Sequence, residues 1–358
     1  KLATVTYKGD SYNSYEDEYS GDIVIPATVT YEGEEYKVYD IEEYAFLRCK
    51  SLTSVVIPDG LMWLGIGVFQ ECSSLTSVTI PEGLYSISGS AFSGCSSLTS
   101  VTIPESVSSI SSEAFKDCKS LTSITIPESV TEIGEYAFSG CSSITNIDIP
   151  EGMTEIRNYV FYNCDSLASV SIPESITLIG KGAFADCSSL ASIIIPESVT
   201  QIGALAFDGC SSLTSVEIPK GVTEIGYNTF YGCSSLTSIV IPKGVTSIGE
   251  SAFEGCSSLS NISIPQGVTE IRYNTFAGCS SLISVEIPKG VTSIGEYAFE
   301  YYSSLVSVTI PEGVTEIDIR TFYNCTSLAS VEIPQSITKI GGAAFSYCSS
   351  LESDALPE

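Results

Sequence analysis

Leu121–Ser143 reads LTSITIPESVTEIGEYAFSGCSS, and this stretch decides the fold because the chain repeats it every 23 residues. The cysteines stand at 49, 72, 95, 118, 141, 164, 187, 210, 233, 256, 279, 325 and 348, with Tyr302 in the one skipped place. All 14 phenylalanines, Phe46 to Phe345, fall three residues before that position, and 14 of the 15 prolines fall nine after it. A fixed period of this length marks a solenoid, so length counts coils here rather than domains. Within one unit Leu121, Ile124 and Ile126 alternate as a short strand. Pro127 ends it, since proline has no N–H to give a neighbouring coil. Val130–Ile133 reads as a second extended segment, and Glu135–Cys141 as a short helical turn leading back. One coil cannot bury its eight apolar side chains alone; stacked on its neighbours it can. The fold class expected is a repeat solenoid, a right-handed superhelix of about fourteen such coils.

The unit LxxVxIPxxVxxIGxxAFxGCSS resembles the BspA-like, treponemal-type leucine-rich repeat over about residues 46–353. It differs from better-known leucine-rich repeats in placing Pro-x-Gly/Ser after the strand, where those have Asn. The resemblance implies a secreted or surface-attached protein, often an adhesin or host-interaction module. It carries over no binding residue, because the shared positions are structural ones.

Residues 1–45 break the period. Pro26 is followed by Phe46 after 20 residues where 11 is the rule, and the extra residues alternate around Glu32-Gly33, a hairpin signal. Residues 1–45 are therefore predicted as an N-terminal cap with a β-hairpin, and 46–358 as the solenoid. At the far end Asp354 stands where Val or Ile belongs, which reads as a truncated or frayed last coil.

Composition narrows the function. The 358 residues include no His, removing the commonest general base and metal ligand. Lys+Arg 15 against Asp+Glu 43 gives a formal charge of −28, which repels nucleic acid and anionic membranes. No apolar run is long enough to span a bilayer, so no membrane insertion is expected. The Cys column shares the inward phase of Phe and Leu and is expected as buried free thiols, not as disulfides or a zinc site. The Ser two after each Cys has no base to activate it, so no catalytic residue and no enzyme activity is expected. Glu82, Glu105, Glu128, Glu151, Glu174 and Glu197 form a turn column that either recruits Ca²⁺ or is solvated charge, and solvated charge is favoured. Thr131 to Thr338 form a column open to two readings: ordered water against a crystal surface, or ordinary β-surface preference. No metal and no cofactor is expected.

Tyrosine is the one irregular feature. Tyr136, Tyr159 and Tyr162 group in adjacent coils, and Tyr227, Tyr231, Tyr273, Tyr297, Tyr301, Tyr302 and Tyr323 crowd later ones. They either shield neighbouring coils or present contact area with a polar handle. The function expected is an extracellular recognition or adhesion module for a protein or glycan on a host, matrix or neighbouring cell. A structural spacer or assembly element presenting another domain is the alternative.

Overall fold

A computed structural model describes residues 1–7 and 17–352. Two compact units divide the chain, Lys1–Ser175 and Ile176–Glu358. Each is a stack of coils in the 23-residue register of a leucine-rich-repeat solenoid.

In the first unit the Leu-x-x-Ile-x-Ile strands lie side by side and parallel. Strands β1 (Leu2–Val5), β2 (Gly21–Val24), β3 (Thr28–Tyr31), β4 (Glu34–Ile41), β5 (Leu52–Val56) and β6 (Trp63–Leu64) open the chain. Strand β5 pairs with β2 on one side and with Ser77–Thr79 on the other, so that Ile23, Val55, Val78 and Val101 stack in register. The second extended segments make a separate parallel ladder, as in Ser86–Ile87, Ser109–Ile110 and Glu132–Ile133. The second unit repeats both ladders in short pieces, for example Ser215–Glu217 on Ser238–Val240 and Glu224–Ile225 on Ser247–Ile248.

The irregular start is one coil with a hairpin inserted. Strand β2 begins a regular ladder, β4 pairs with β6 in the other ladder, and β3 folds back antiparallel on β4 through Glu32-Gly33. Glu32 and Gly33 both have positive φ, 53° and 79°, as the two-residue turn between right-twisted strands requires. Strand β1 adds beneath β4, covering the outer edge of the second ladder. The final segment with Asp354 lies outside the described residues.

The expected helical turn is not formed, and no helix occurs among the described residues. Glu135–Cys141 is a run of linked turns in which Tyr136 and Gly140 take left-handed φ values of 58° and 73°. That alternation aims every second amide along the stack. The N–H groups of Tyr136, Phe138 and Gly140 donate to Asn158, Val160 and Tyr162 of the next coil, at 3.3, 3.0 and 2.8 Å. Those of Ala137, Ser139 and Cys141 donate back three residues. A helix would have kept all these bonds within one coil. Left-handed conformation at a non-glycine residue costs about 1–2 kcal/mol, and the bonds gained between coils offset it.

The core is a set of columns. In the first unit consecutive rings from Phe46 to Phe161 stack at 5.1–5.8 Å between centroids. In the second, Phe184 to Phe345 stack at 5.4–5.7 Å. Coil spacing is tight enough that side chains are excluded at some positions. A Cβ added to Gly249 would stand 2.5 Å from the backbone of Gly226 and Tyr227.

Candidate interaction surface

The Cys, Ser and Thr columns are hydrogen-bonded along the stack. All thirteen cysteines are free and buried. Most of their thiols donate to the carbonyl of the phenylalanine one coil back, as Cys95 to Phe69 at 3.1 Å and Cys256 to Phe230 at 3.2 Å. Burial pushes the Cys95, Cys164 and Cys279 thiols up to about 12, so they carry no thiolate at neutral pH. The hydroxyl column that serves turn carbonyls is mainly the serine that directly follows most of the cysteines rather than the next one. Ser234, Ser257 and Ser280 each bond the carbonyl of the equivalent serine one coil earlier, at 3.3–3.4 Å. Threonine hydroxyls do the same, as Thr292 to Thr269 at 3.3 Å and Thr338 to Thr315 at 3.1 Å, so the column is tied to its own backbone. Among the described residues, no three His, Cys, Asp or Glu side chains converge as a metal ligand set.

Concave sites exist in both units. In the first, Arg157 spans Glu132 and Glu155 at 2.7 and 2.9 Å, closing a hollow of about 160 Å³. In the second, Gly203, Gly226 and Gly249 floor a groove of about 660 Å³ walled by Tyr227, Glu250 and Arg272. A groove of about 900 Å³ on the strand face holds Glu286, Thr309, Glu312, Glu332 and Lys289. Exposed Ile283 and Val306 stack in the column beside it.

The tyrosines fall into two groups, one in each unit. Tyr136 stacks on Tyr159 at 4.8 Å and 10°, Tyr159 meets Tyr162 edge-on at 5.9 Å, and Lys116 lies 5.5 Å over the Tyr136 ring. Tyr136 and Tyr159 are half-buried in this stack and Tyr162 is exposed. The second unit carries the larger assembly. Arg320 sits 4.9 Å from the Tyr323 ring and 5.9 Å from Tyr297. Tyr297 contacts Tyr273, and Tyr323 contacts both Tyr301 and Tyr347, all edge-on at 5.1–5.9 Å. Loss of water, and then neighbouring phenols, raise the Tyr273 and Tyr323 pKa values, while the Arg320 charge pulls Tyr323 the other way. Tyr227 and Tyr231 are exposed.

Tyr302 must be removed from the surface set. It is fully buried, edge-on to Phe299 at 5.6 Å and 87°. Its place three residues after Phe299 is the inward cysteine place, and that phase outweighs the polar hydroxyl. Sequence reading also missed Arg320 and Tyr347. Both were findable by register: Arg320 stands two before Phe322, as Tyr297 does before Phe299, and Tyr347 two after Phe345, as Tyr301 does after Phe299.

Short parallel ladders, a phenylalanine column and an aromatic surface cluster define a leucine-rich-repeat solenoid with a decorated turn edge. The BspA type leucine rich repeat region matches in six copies over residues 29–133, 108–237 and 223–352, and the chain belongs to that family. Among solved structures it is similar to a leucine-rich repeat protein from Bacteroides ovatus at 37% identity, covering 92% of this chain and 85% of that one, with a TM-score of 0.85. A leucine rich cell surface protein from Faecalibacterium prausnitzii is 33% identical, over 92% and 90% of the two chains, with a TM-score of 0.59. A leucine-rich repeat protein from Eubacterium ventriosum is 28% identical, over 86% and 91% of the two chains, with a TM-score of 0.58. Comparison with curated proteins gives no match.

Proposed function

We propose that this chain is a non-enzymatic recognition module of the cell exterior, binding a protein or glycan through the tyrosine–arginine cluster of its second unit. The observation that carries the reading is the contiguous set Tyr273, Tyr297, Arg320, Tyr323, Tyr301 and Tyr347 on an otherwise repetitive scaffold. Tyr and Arg are the side chains that most often dominate binding, because they bring large area, few rotatable bonds and directed polar atoms. The similar Faecalibacterium protein is described as a cell surface protein, which supports the location. The acidic surface disfavours nucleic acid and anionic lipid as partners.

The test is binding to arrays of matrix proteins and glycans, comparing the chain with a Tyr323→Ser/Tyr347→Ser variant. Loss of about 30-fold in affinity for a bound component is expected, the scale of a removed binding anchor. Equal binding by the variant contradicts the assignment. If neither form binds at micromolar concentration, the spacer reading replaces it.

A further inference from the structure

The first unit carries a second departure from the repeat, on the face of its second extended ladder. In the coils that follow, the outward places of this ladder are held by Ser108 and Ser109, then Thr131 and Glu132, then Thr154 and Glu155. In the first coils the same two columns hold Tyr39 and Asp40, then Met62 and Trp63, then Tyr85 and Ser86. Backbone pairing fixes the alignment: the Met62 N–H donates to Tyr39 at 2.9 Å, Asp40 pairs with Trp63, and the Ser108 N–H donates to Tyr85. Met62, Trp63 and Tyr85 are 66%, 49% and 68% exposed. The repeat therefore has a polar solution for these places, and the first coils depart from it at Tyr39, Met62, Trp63 and Tyr85.

Nothing in the packing of the unit calls for these side chains, since the inward places beside them are already filled by Leu61, Leu64, Leu84 and Ile87, all buried. Contiguous large apolar groups at a place where the same fold tolerates Ser and Thr mark a contact surface. The charge around them selects the occupant. Asp40, in register with Trp63, is half-buried, so the exposed carboxylates nearby carry the charge. Asp59 and Glu82 stand on the turns leading into Met62 and Tyr85, with Lys37 beside Gly60 as the local counter-charge. The whole chain carries a formal charge of −28. A second copy or an anionic lipid surface would be repelled.

We infer that Tyr39, Met62, Trp63 and Tyr85 form a docking surface for a polypeptide segment whose apolar side chains are flanked by Lys or Arg. Apolar groups of the segment cover Met62 and Tyr85, and its cationic side chains meet the exposed carboxylates of Asp59 and Glu82. This surface lies in the first unit and does not depend on the tyrosine cluster of the second.

Trp63 is the only tryptophan in the chain and reports directly. The probe is a short synthetic peptide of alternating Lys and Leu, titrated while Trp63 emission is followed. A saturable blue shift is expected. The variant Met62→Thr/Tyr85→Thr installs the residue that fills this column in later coils and keeps both the charge and Trp63. Its affinity is expected to fall at least about ten-fold with an unchanged unfolding midpoint. Tyr85→Thr alone, expected to fall by an intermediate factor, serves if the double variant is destabilised. The inference is overturned if the variants bind as tightly as the parent. It is also overturned if alternating Lys and Ser, or Glu and Leu, binds as well as Lys and Leu. A parent dimer in sedimentation that the variants lose, or an equal Trp63 shift with zwitterionic vesicles, overturns it in favour of self-association or lipid.

Discussion

Truncating one ring in the middle of the phenylalanine column, Phe115→Ala, measures how the stack is held. Phe115 is fully buried, with Phe92 at 5.3 Å and Phe138 at 5.5 Å on its two sides. Removing it loses the transfer free energy of the ring, about 2–3 kcal/mol, and two ring–ring contacts of about 0.5–1.5 kcal/mol each. Collapse of the cavity would recover part of this, but the flanking coils cannot close in. The Phe92 N–H is bonded to Ala114 and the Phe115 N–H to Ala137, both at 2.8 Å, and these bonds fix the spacing. The expected cost is about 4 kcal/mol, within the range of buried Phe truncations. Phe345 is partly exposed and has a ring neighbour at Phe322, so Phe345→Ala is expected to cost about half as much. Urea denaturation supplies the stability difference, and hydrogen exchange shows whether the loss centres on the affected coils, since a stacked array unfolds locally. A Phe115→Ala cost below about 1.5 kcal/mol, or equal costs at both sites, refutes the reasoning.

Three further outcomes follow from the same coordinates. Gly249→Ala pushes a methyl into the backbone of Gly226 and Tyr227 and is expected to destabilise by about 1–3 kcal/mol in urea titrations. A thiol reagent is expected to leave the native cysteines nearly unlabelled, with Cys348 first to react because its neighbour Cys325 lowers its pKa, and to label all thirteen once the chain is unfolded. Asp208 is raised to about 6 by burial and by the nearby Asp186 charge. Its carboxyl is protonated in the fold where the unfolded chain has already ionised, so its contribution is present below pH 4 and lost as pH rises through 6. Asp208→Asn is then expected to stabilise by about 1 kcal/mol at pH 7.5, after allowing for solvent screening, and by nothing at pH 4, read from melting midpoints.

The coil was legible in the sequence because period, Phe, Pro and Cys are all tied to inward packing, which leaves a strict mark. Strand order, the inserted hairpin around Glu32-Gly33 and the free buried thiols follow from that mark. The turn region was not legible in the same way. Glu135–Cys141 has helix-compatible residues, and only the demand for hydrogen bonds between coils turns Tyr136 left-handed. Local preference there is weaker than the pairing supplied by the neighbouring coil. The surface was legible in part. Listing tyrosines located most of the second cluster, but it included Tyr302, which inward phase buries, and overlooked Arg320, which is not aromatic. Met62 and Trp63 escaped notice because they stand at outward places of a regular coil, where inward packing leaves no mark.

The register itself is open to one direct measurement. Ser100 and Ser123 are exposed on neighbouring strands and paired one coil apart, at the roughly 4.8 Å spacing of adjacent strands. Nitroxide labels on Ser100→Cys and Ser123→Cys, attached while the buried native thiols stay unreactive, are expected to give strong dipolar broadening in frozen-solution spectra. A Ser100→Cys and Asn146→Cys pair, two coils apart, is expected to give clearly less. Equal broadening for both pairs, or none for Ser100 and Ser123, would contradict coils stacked at 23-residue intervals.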